Sequence, residues 1–374
     1  MKKIVLLLSL LVTGAAVDAS KAQKIEAPYK TDFEFSKGIN ISAWLSQTDM
    51  SSPQEQKSYF SRQDFLLLKD LGFDHLRLPV AEDKIYLENG EKRKESFALL
   101  HDVIGWCRDA NMRVILDLHD LKVSRELKPK PGQVSLWDDR RAQDRFIALW
   151  QDFSAEFGKY PNSLLAYELL NEPVAPDPEN WNQLSARAIT AIRKLEPQRV
   201  IFLGSNKFNS ITTFPYLKVP KNDPNIILSF HFYHPGLLTH YNVDSYENDD
   251  GVKGLKLNYP GKLVSDEDVK ALDESSRAKL QVMNGTHDLK KLEARLFDVF
   301  KKAKETGLRI HCGEFGSNFK YPDRDLQLRW IRDMVAIFKN HDIPYTVWGY
   351  RRHFGVFDDE RNVKDQRYLD AIVQ

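Results

Sequence analysis

The fold of this 374-residue chain is decided by the stretch LLAYELLNEP at residues 164–173, together with LRIHCGEFG at residues 308–316. Each stretch is an apolar run that leads into a glutamate, Glu172 in the first and Glu314 in the second. A carboxylate at the end of a buried strand is costly unless it is hydrogen-bonded or used in chemistry. The two glutamates lie too far apart in sequence for local structure to join them. They can meet where the strands of a closed barrel all end on one face.

The rest of the chain alternates between strand-like and helix-like segments. Apolar runs predict eight strands, at residues 38–43, 73–80, 112–119, 164–171, 199–204, 225–233, 308–314 and 345–351. Amphipathic runs predict helices at 62–71, 97–110, 142–157, 181–195, 289–306, 324–340 and 363–372. This alternation predicts an α/β fold, a (β/α)8 TIM barrel in a single domain. A doubly wound open sheet is the alternative, but neither G-x-G-x-x-G nor G-x-x-x-x-G-K-[ST] occurs.

One long polar stretch, residues 236–287, interrupts this rhythm after the sixth predicted strand. It carries Tyr241, Tyr246 and Tyr259. Long loops in compact domains are often functional, and this one begins at a strand's carboxyl end. We therefore predict that it forms one wall of a substrate cleft.

The N-terminus and the overall charge bear on where the protein works and what it binds. Lys2 and Lys3 precede an apolar run, and small residues follow, which predicts a secretory signal peptide over residues 1–22. The catalytic domain would then span residues 23–374, and the mature protein would be secreted or periplasmic. A transmembrane anchor is the alternative, but the apolar run is shorter than the ~20 residues a span needs. With 54 basic and 53 acidic residues, the chain is not expected to bind nucleic acid or a membrane surface.

The chain has two cysteines, Cys107 and Cys312. We interpret both as small buried hydrophobic residues, with a disulfide between them as the alternative in an oxidising compartment. No second Cys or His completes a metal-binding spacing around either one.

Functional side chains stand at the carboxyl ends of several different predicted strands. In a TIM barrel this arrangement is typical of an active site. Taken singly, Arg77 would be read as a structural ion-pair partner and His119 as a core histidine, and we assign Glu168 a structural role in the barrel interior. The candidate site residues are Trp44, Arg77, His119, Asn171, Glu172, His231, Tyr233, Glu314 and Trp348.

Tryptophans near strand ends can stack on sugar rings, and paired carboxyls flanking a scissile bond perform glycoside hydrolysis. We expect such an exposed ring at Trp44, Trp137, Trp181 or Trp348. The sequence lacks H-E-x-x-H and G-x-S-x-G, which disfavours a metallohydrolase and a serine hydrolase.

Six short motifs, in order from the second predicted strand to the eighth, resemble glycoside hydrolase family 5, the cellulase family of (β/α)8 barrels. Asn-Glu-Pro alone is common by chance, whereas the ordered set is specific. The matching pieces are Arg77-Leu78-Pro79, Asp117-Leu118-His119, Asn171-Glu172-Pro173, His231-Phe232-Tyr233, Gly313-Glu314-Phe315-Gly316 and Trp348.

The resemblance implies a role for each matching residue. Glu172 would be the general acid/base and Glu314 the nucleophile of a retaining double displacement that needs no metal or cofactor. The other residues would bind substrate or support the pair: Arg77 and His231 near the nucleophile, Asn171 toward the sugar 2-hydroxyl, Tyr233 bonded to the nucleophile, His119 lining the cleft, and Trp348 flooring the −1 subsite.

The resemblance also implies a substrate class, a β-linked polysaccharide or oligosaccharide, with β-1,4-glucan as the family's commonest case. A β-mannanase, an exo-acting β-glucanase and a non-catalytic carbohydrate-binding barrel are the alternatives. We expect the protein to act as a monomer.

Overall fold

The computed structural model describes residues 31–50, 52–126, 132–240, 255–320 and 323–374. The predicted signal peptide, Tyr241 and Tyr246 lie outside the described residues. No helix within the described ranges is long and apolar enough to cross a membrane. The strands are β1 (Lys37–Asn40), β2 (His75–Ala81), β3 (Arg113–Asp120), β4 (Leu165–Glu168), β5 (Ile201–Gly204), β6 (Ile226–Phe232), β7 (Gly261–Lys262), β8 (Thr286–His287), β9 (Ile310–Phe315) and β10 (Tyr345–Val347).

Eight of these strands close into one barrel, in the order β1-β10-β9-β6-β5-β4-β3-β2. Every neighbouring pair is parallel, including the closing pair of β1 and β10. All carboxyl ends therefore point to the same face, which confirms the predicted (β/α)8 barrel. Each predicted strand matches one barrel strand, with ends that differ by a few residues.

Helices connect the barrel strands and begin at side chains suited to capping. Ser61 and Asp177 each accept a backbone N–H of the first helical turn, which satisfies donors that have no partner within the helix. The helices of the described residues are Pro53–Tyr59, Arg62–Asp70, Glu82–Ile85, Lys94–Asp109, Arg140–Phe157, Pro178–Leu195, Gly236–Thr239, Asp266–Ala271, Glu274–Met283, Leu289–Ala294, Phe297–Thr306, Arg324–Asn340 and Gln366–Val373, with a 3₁₀ helix at Ile211–Tyr216.

The barrel interior has an apolar layer at its amino-terminal end and a polar layer above it. Phe33 and Phe35, which precede β1, pack with Phe202 and four aliphatic side chains to close the amino-terminal end. The ring of His75, in β2, packs against Phe35. Arg77 lies two positions further along β2, so it points into the same interior, because strand side chains alternate with period two. The apolar layer keeps water away from the polar layer from below.

The segment 236–287 is an insertion whose described residues, 236–240 and 255–287, form short helices and an antiparallel pair of strands, β7 and β8. Tyr259 is buried in it, and its hydroxyl donates to Asp333 of the helix Arg324–Asn340 at 2.6 Å. Tyr259 is therefore not part of a cleft wall, because its ring anchors the insertion to the barrel's outer layer. The start of the insertion does reach the cleft, through Gly236 and His240.

Both cysteines are free and buried, as interpreted from the sequence. Burial raises the pKa of the Cys107 thiol well above its usual range, so it stays protonated. Cys107 and Cys312 thus act as small hydrophobic residues of the scaffold.

We predict that Gly38→Ala destabilises the barrel. A Cβ atom at this position would lie 2.2 Å from Nε2 of His75, a buried ring that hydrogen-bonds Thr346. Overpacking of this kind costs about 1–3 kcal/mol in the free energy of unfolding, which urea denaturation measures. Gly105→Ala is the matched control: the site is helical with nothing within 4 Å, so it should stabilise by up to about 1 kcal/mol. Equal effects of the two substitutions would contradict the packing account.

Candidate active site

A cleft of about 620 Å³ opens at the carboxyl ends of the barrel strands. Seven of the nine predicted site residues line it: His119, Asn171, Glu172, His231, Tyr233, Glu314 and Trp348. A larger cavity of about 810 Å³ lies against the outer helix Pro178–Leu195 and residues 218–225, and it contains none of the predicted site residues. The concentration of buried acidic and histidine side chains marks the smaller cleft as the place for chemistry.

Arg77 is the fully buried centre of the site. Its Nη1 donates to Glu314 Oε1 at 2.9 Å and to Asn40 Oδ1 at 2.8 Å. Its Nε and Nη2 donate to the two oxygens of Glu168 at 2.7 and 3.1 Å, a bidentate pair. Nη2 also donates to Asn171 Oδ1 at 2.9 Å. One guanidinium therefore ties side chains from β1, β9 and the β4 region together.

Arg77 also faces more negative charge than it can balance. Asp117 Oδ2 lies 3.1 Å from its Nη2, so Asp117, Glu168 and Glu314 all surround one cation. Burial raises the pKa of Asp117 to about 7 and also raises the pKa of Glu168, and the Arg77 charge opposes both shifts. Glu168 is buried and bonded to Arg77, which agrees with the structural role predicted for it.

Glu314, at the end of β9, has two strong donors. Besides Arg77, the Tyr233 hydroxyl donates to its Oε2 at 3.0 Å. Its side chain is almost fully buried, with one face toward the cleft. The carboxylate is thus oriented and its charge is stabilised from two directions.

Glu172 is held differently, by its backbone and by one histidine. Its φ is +48°, in the left-handed region, and Arg125 Nη1 donates to its carbonyl at 2.6 Å. His231 Nδ1 lies 2.8 Å from Oε1 of Glu172, and Asn209 Nδ2 approaches His231 Nε2 at 3.3 Å. With Asn209 donating to Nε2, the ring proton lies on Nδ1 and is donated to Glu172. Burial lowers the pKa of His231 to about 4, so this donor is neutral.

The two glutamates share one site and one proton. One oxygen of each lies within 4.8 Å of the other and of a His231 nitrogen. Burial raises the pKa of Glu314 to about 7 and also raises the pKa of Glu172. Because Glu314 accepts from a cation and a hydroxyl, whereas the Glu172 carboxyl accepts from a neutral imidazole, the negative charge is favoured on Glu314. The proton of the pair therefore resides on Glu172.

A divalent cation could be coordinated by the same three side chains, those of Glu172, His231 and Glu314. Their closeness is already accounted for by the hydrogen bond between His231 and Glu172, and by the Arg77 cation beside Glu314. The arrangement therefore suits proton transfer between a charged and a neutral carboxyl.

A stacked ring pair forms another wall of the cleft. The rings of His119 and Trp348 lie parallel, with centroids 5.5 Å apart and planes 8° apart. Asp117 Oδ2 lies 2.7 Å from Nδ1 of His119 and orients that ring, whose pKa burial lowers to about 3. Trp348 is partly exposed and offers an apolar face to a ligand.

Three of the four tryptophans predicted to stack on sugars are buried away from the cleft. Trp44 is fully buried and packs on Phe60, and its indole N–H donates to the Gln56 carbonyl at 2.8 Å. Trp137 and Trp181 are likewise buried and donate to backbone carbonyls. The prediction of Trp44 as a substrate-binding residue is wrong, because the helix Pro53–Tyr59 and its flanks cover the ring.

The other sequence-predicted residues are brought together by the barrel. Arg77 lies beneath the cleft, and His231, predicted near the nucleophile, approaches Glu314 at 3.5 Å but bonds Glu172 more closely. Sequence reasoning missed several lining residues because they lie in turns without a motif: Gln47, Lys207, Phe208, His234, His240, Arg295 and Phe354. The signal available in the sequence was Phe208, an aromatic residue in the turn that follows β5.

Known proteins resemble this chain in sequence and in fold. The family model described as cellulase (glycosyl hydrolase family 5) matches residues 36–353. Endoglucanase C of Acetivibrio thermocellus is 26% identical over 343 residues, which cover 91% of this chain and 98% of that protein. Cellodextrinase A of Ruminococcus flavefaciens is 27% identical over 311 residues, covering 82% and 83%. The structure of Thermotoga maritima Cel5A in complex with cellobiose has a TM-score of 0.71 at 23% identity, covering 90% and 97%, which supports the barrel fold.

We predict that Arg77→Met lowers the free energy of unfolding by about 3–5 kcal/mol at neutral pH, because it leaves buried carboxylates without their cation. Those carboxyls then have folded-state pKa values raised above their unfolded values. The loss of unfolding free energy that these carboxylates cause is present at high pH, and it shrinks as the pH falls through their folded-state pKa values. Urea denaturation at several pH values measures both effects.

The matched control is Arg108→Met, since Arg108 and its partner Asp109 are both exposed. That change should cost less than about 1 kcal/mol. A cost for Arg77→Met as small as that of the control, or one that grows as the pH falls, would contradict the central role of Arg77.

Proposed function

Because the chain belongs to the cellulase family, glycosyl hydrolase family 5, we propose that it hydrolyses β-1,4-linked glucans by double displacement, with Glu314 as nucleophile and Glu172 as acid/base. The protein is a glycoside hydrolase that acts on O-glycosyl bonds. The observation that carries the proposal is the pair of glutamates, Glu314 buried and Glu172 half-buried, which lie close together and are differently bonded.

The separation of the two carboxyls supports retention of anomeric configuration. Retaining glycosidases hold their carboxyl groups about 5–5.5 Å apart, and inverting enzymes leave about 6.5–9.5 Å for a water molecule. An oxygen of Glu172 lies within 4.8 Å of an oxygen of Glu314. This distance fits direct attack by one carboxylate on the anomeric carbon.

In the first step, Glu314 attacks the anomeric carbon while Glu172 gives its proton to the leaving oxygen. A new bond forms between the sugar and the Glu314 carboxylate, and the glycosidic bond breaks. Arg77 and Tyr233 fix the attacking carboxylate and keep it ionised in the free enzyme. His231 holds the protonated Glu172 in place without competing as an acid, because its ring is neutral.

In the second step, Glu172, now ionised, takes a proton from water. The oxygen of that water attacks the anomeric carbon, the bond to Glu314 breaks, and the product leaves with its original configuration. Glu172 ends protonated and Glu314 ends charged, so the site is restored.

Two kinds of relative support the choice of substrate. The curated relatives include Endoglucanase C and Cellodextrinase A, whose names point to cleavage of β-1,4-glucan chains and of their short fragments. Initial rates on soluble β-1,4-glucan, β-mannan and β-1,3-glucan would test the choice, and faster hydrolysis of mannan or β-1,3-glucan would overturn it.

We also propose that the enzyme acts outside the cytoplasm, because residues 1–22 have the pattern of a secretory signal peptide. N-terminal sequencing of the exported protein should find Ser20 or Gln23 first. Recovery of the protein only in the cytoplasm, beginning at Met1, would contradict export.

We predict opposite azide products from the two alanine variants. Glu172→Ala should slow substrates with poor leaving groups by about 10²–10⁴-fold, since protonation is lost. With an activated aryl cellobioside and azide, it should give the β-glycosyl azide, because azide replaces the unactivated water. Glu314→Ala should give the α-azide by one inverting displacement. NMR of each product measures the configuration.

Glu179→Ala is the control for both variants, because Glu179 is a surface residue paired with Lys218. It should keep wild-type activity and form no azide product. Exchanged configurations would reverse the two roles, and near-wild-type activity of either variant would remove that glutamate from the mechanism.

We predict that Tyr233→Phe shifts the acidic limb of the kcat/KM profile to higher pH by about one unit. The hydroxyl stabilises the charged form of Glu314, so its loss raises the pKa of the nucleophile. The basic limb, which reports loss of the Glu172 proton, should stay in place. Tyr345→Phe is the control, since that hydroxyl donates to the Ile372 carbonyl away from the cleft. A shift of the basic limb alone, or equal shifts in both variants, would refute this assignment.

A further inference from the structure

We propose that the leaving-group side of the cleft contains a subsite for a carboxylate-bearing sugar, formed by the turn 206–209, Arg295 and His234. The proposal deepens the proposed function and rests on it for the position of the scissile bond. It names the substrate as an acidic β-glycan, one with uronic acid residues or carboxylated glucose units.

The barrel order places these residues on one side of the catalytic pair. Glu172 follows β4 and Glu314 lies in β9, and between those strands the barrel contains β5 and β6. The turn 206–209 follows β5, and His234 follows β6. The stacked rings of His119 and Trp348 belong to β3 and to the residue after β10, on the other side of the pair.

The turn 206–209 lies next to the proton donor. The backbone N–H of Phe208 donates to the Pro173 carbonyl at 3.3 Å, one residue beyond Glu172. Glu172 protonates the leaving oxygen, so a ring beside it faces the departing sugar. Phe208 lines the cleft and is 55% exposed, which leaves its face free for stacking on a sugar ring.

The backbone of this turn is strained, and the strained residues Lys207 and Phe208 line the cleft. Lys207, Phe208 and Asn209 have φ of +52°, +67° and +51°, three successive non-glycine residues in the left-handed region. Each such residue costs of order 1 kcal/mol, and strain of this kind persists where surrounding contacts enforce it. Asn206 enforces it by exchanging two hydrogen bonds with the backbone of Ala175.

Two cations at this side of the cleft have no counter-charge among the described residues. Lys207 and Arg295 both line it, and within the described part of the chain neither forms an ion pair. Partial burial lowers the pKa of Arg295. Of the acidic residues that the structure describes, Glu172 and Glu314 alone line the cleft. A guanidinium in this position is suited to bind a carboxylate, because its N–H donors match the two oxygens.

His234 adds a buried donor beside Arg295. Its Nε2 is buried and has no hydrogen-bond partner among the described residues, and its side chain lines the cleft. Burial and, to a lesser extent, the Arg295 charge lower the pKa of His234 to about 3, so the ring is neutral. A bound carboxylate would satisfy both the cation and the ring, which a neutral sugar hydroxyl satisfies less well.

The test compares binding to charged and neutral polymers. The full-length protein is run in native gels that contain carboxymethyl-cellulose or hydroxyethyl-cellulose, which share a β-1,4-glucan backbone. The cleft variant is Lys207→Gln with Arg295→Gln. The control variant is Lys221→Gln with Lys339→Gln, which makes the same change in net charge at exposed positions outside the cleft.

We expect the cleft variant to lose affinity for carboxymethyl-cellulose by about tenfold or more, since each lost charge-assisted contact is worth about 1.5–3 kcal/mol at most. Its affinity for hydroxyethyl-cellulose should fall by less than about threefold, which also shows that it is folded. The control variant should bind both polymers as the wild type does. Raising NaCl to about 0.5 M should weaken wild-type binding of the charged polymer selectively.

Several outcomes would overturn the proposal. These are equal losses in the cleft and control variants, equal losses for both polymers, and equal wild-type retardation by carboxymethyl-dextran, which carries the charge on an α-linked backbone. Hydrolysis of hydroxyethyl-cellulose by the wild type is assayed in parallel. Its absence would count against the proposed β-1,4-glucanase function, whereas the binding ratios alone decide the acidic subsite.

Discussion

The burial of one guanidinium, that of Arg77, is the constraint on which the rest of the structure depends. A cation inside a barrel is tolerable only when carboxylates surround it, and Asp117, Glu168 and Glu314 do so from β3, β4 and β9. The apolar layer around Phe33 and Phe35 excludes water from below, which strengthens each of these interactions. The nucleophile is therefore positioned by the same contacts that hold the polar layer of the barrel together.

The two glutamates that we propose as catalytic differ because their partners differ. Glu314 sits within a strand and accepts from a cation and a phenol, so its charge is favoured. Glu172 lies just beyond a strand, and its own backbone is strained and bonded to Arg125. Its carboxyl faces a neutral imidazole. Burial raises the pKa of both, and the asymmetry of the donors decides which one carries the proton. The barrel thus separates the role of nucleophile from that of acid with one shared histidine between them.

The sequence predicted the barrel well because the eight apolar runs and the amphipathic helices between them repeat a strong pattern. It also predicted that Glu172 and Glu314 meet at one face of the barrel, since a glutamate at the end of a buried strand has few explanations. It failed for Trp44, because the pattern places a residue at a strand end but does not reveal that a later helix covers it. The sequence pattern likewise does not reveal that Tyr259 is buried, with its hydroxyl bonded to Asp333 in a distant helix. Phe208 was missed, since a left-handed turn has no periodicity to read. Arg295 was missed because the predicted helix 289–306 is broken there, between the helices Leu289–Ala294 and Phe297–Thr306.

The measurement that tests the account most directly is trapping of the covalent intermediate. The substrate is a 2-deoxy-2-fluoro-cellobioside with a dinitrophenolate leaving group. Its fluorine slows both steps, and its leaving group departs without help from an acid. The account predicts stoichiometric release of dinitrophenolate, loss of activity, and a fluorocellobiosyl ester that peptide mass spectrometry locates on Glu314. An ester on Glu172, or an α-configured product formed with no labelled protein, would contradict it.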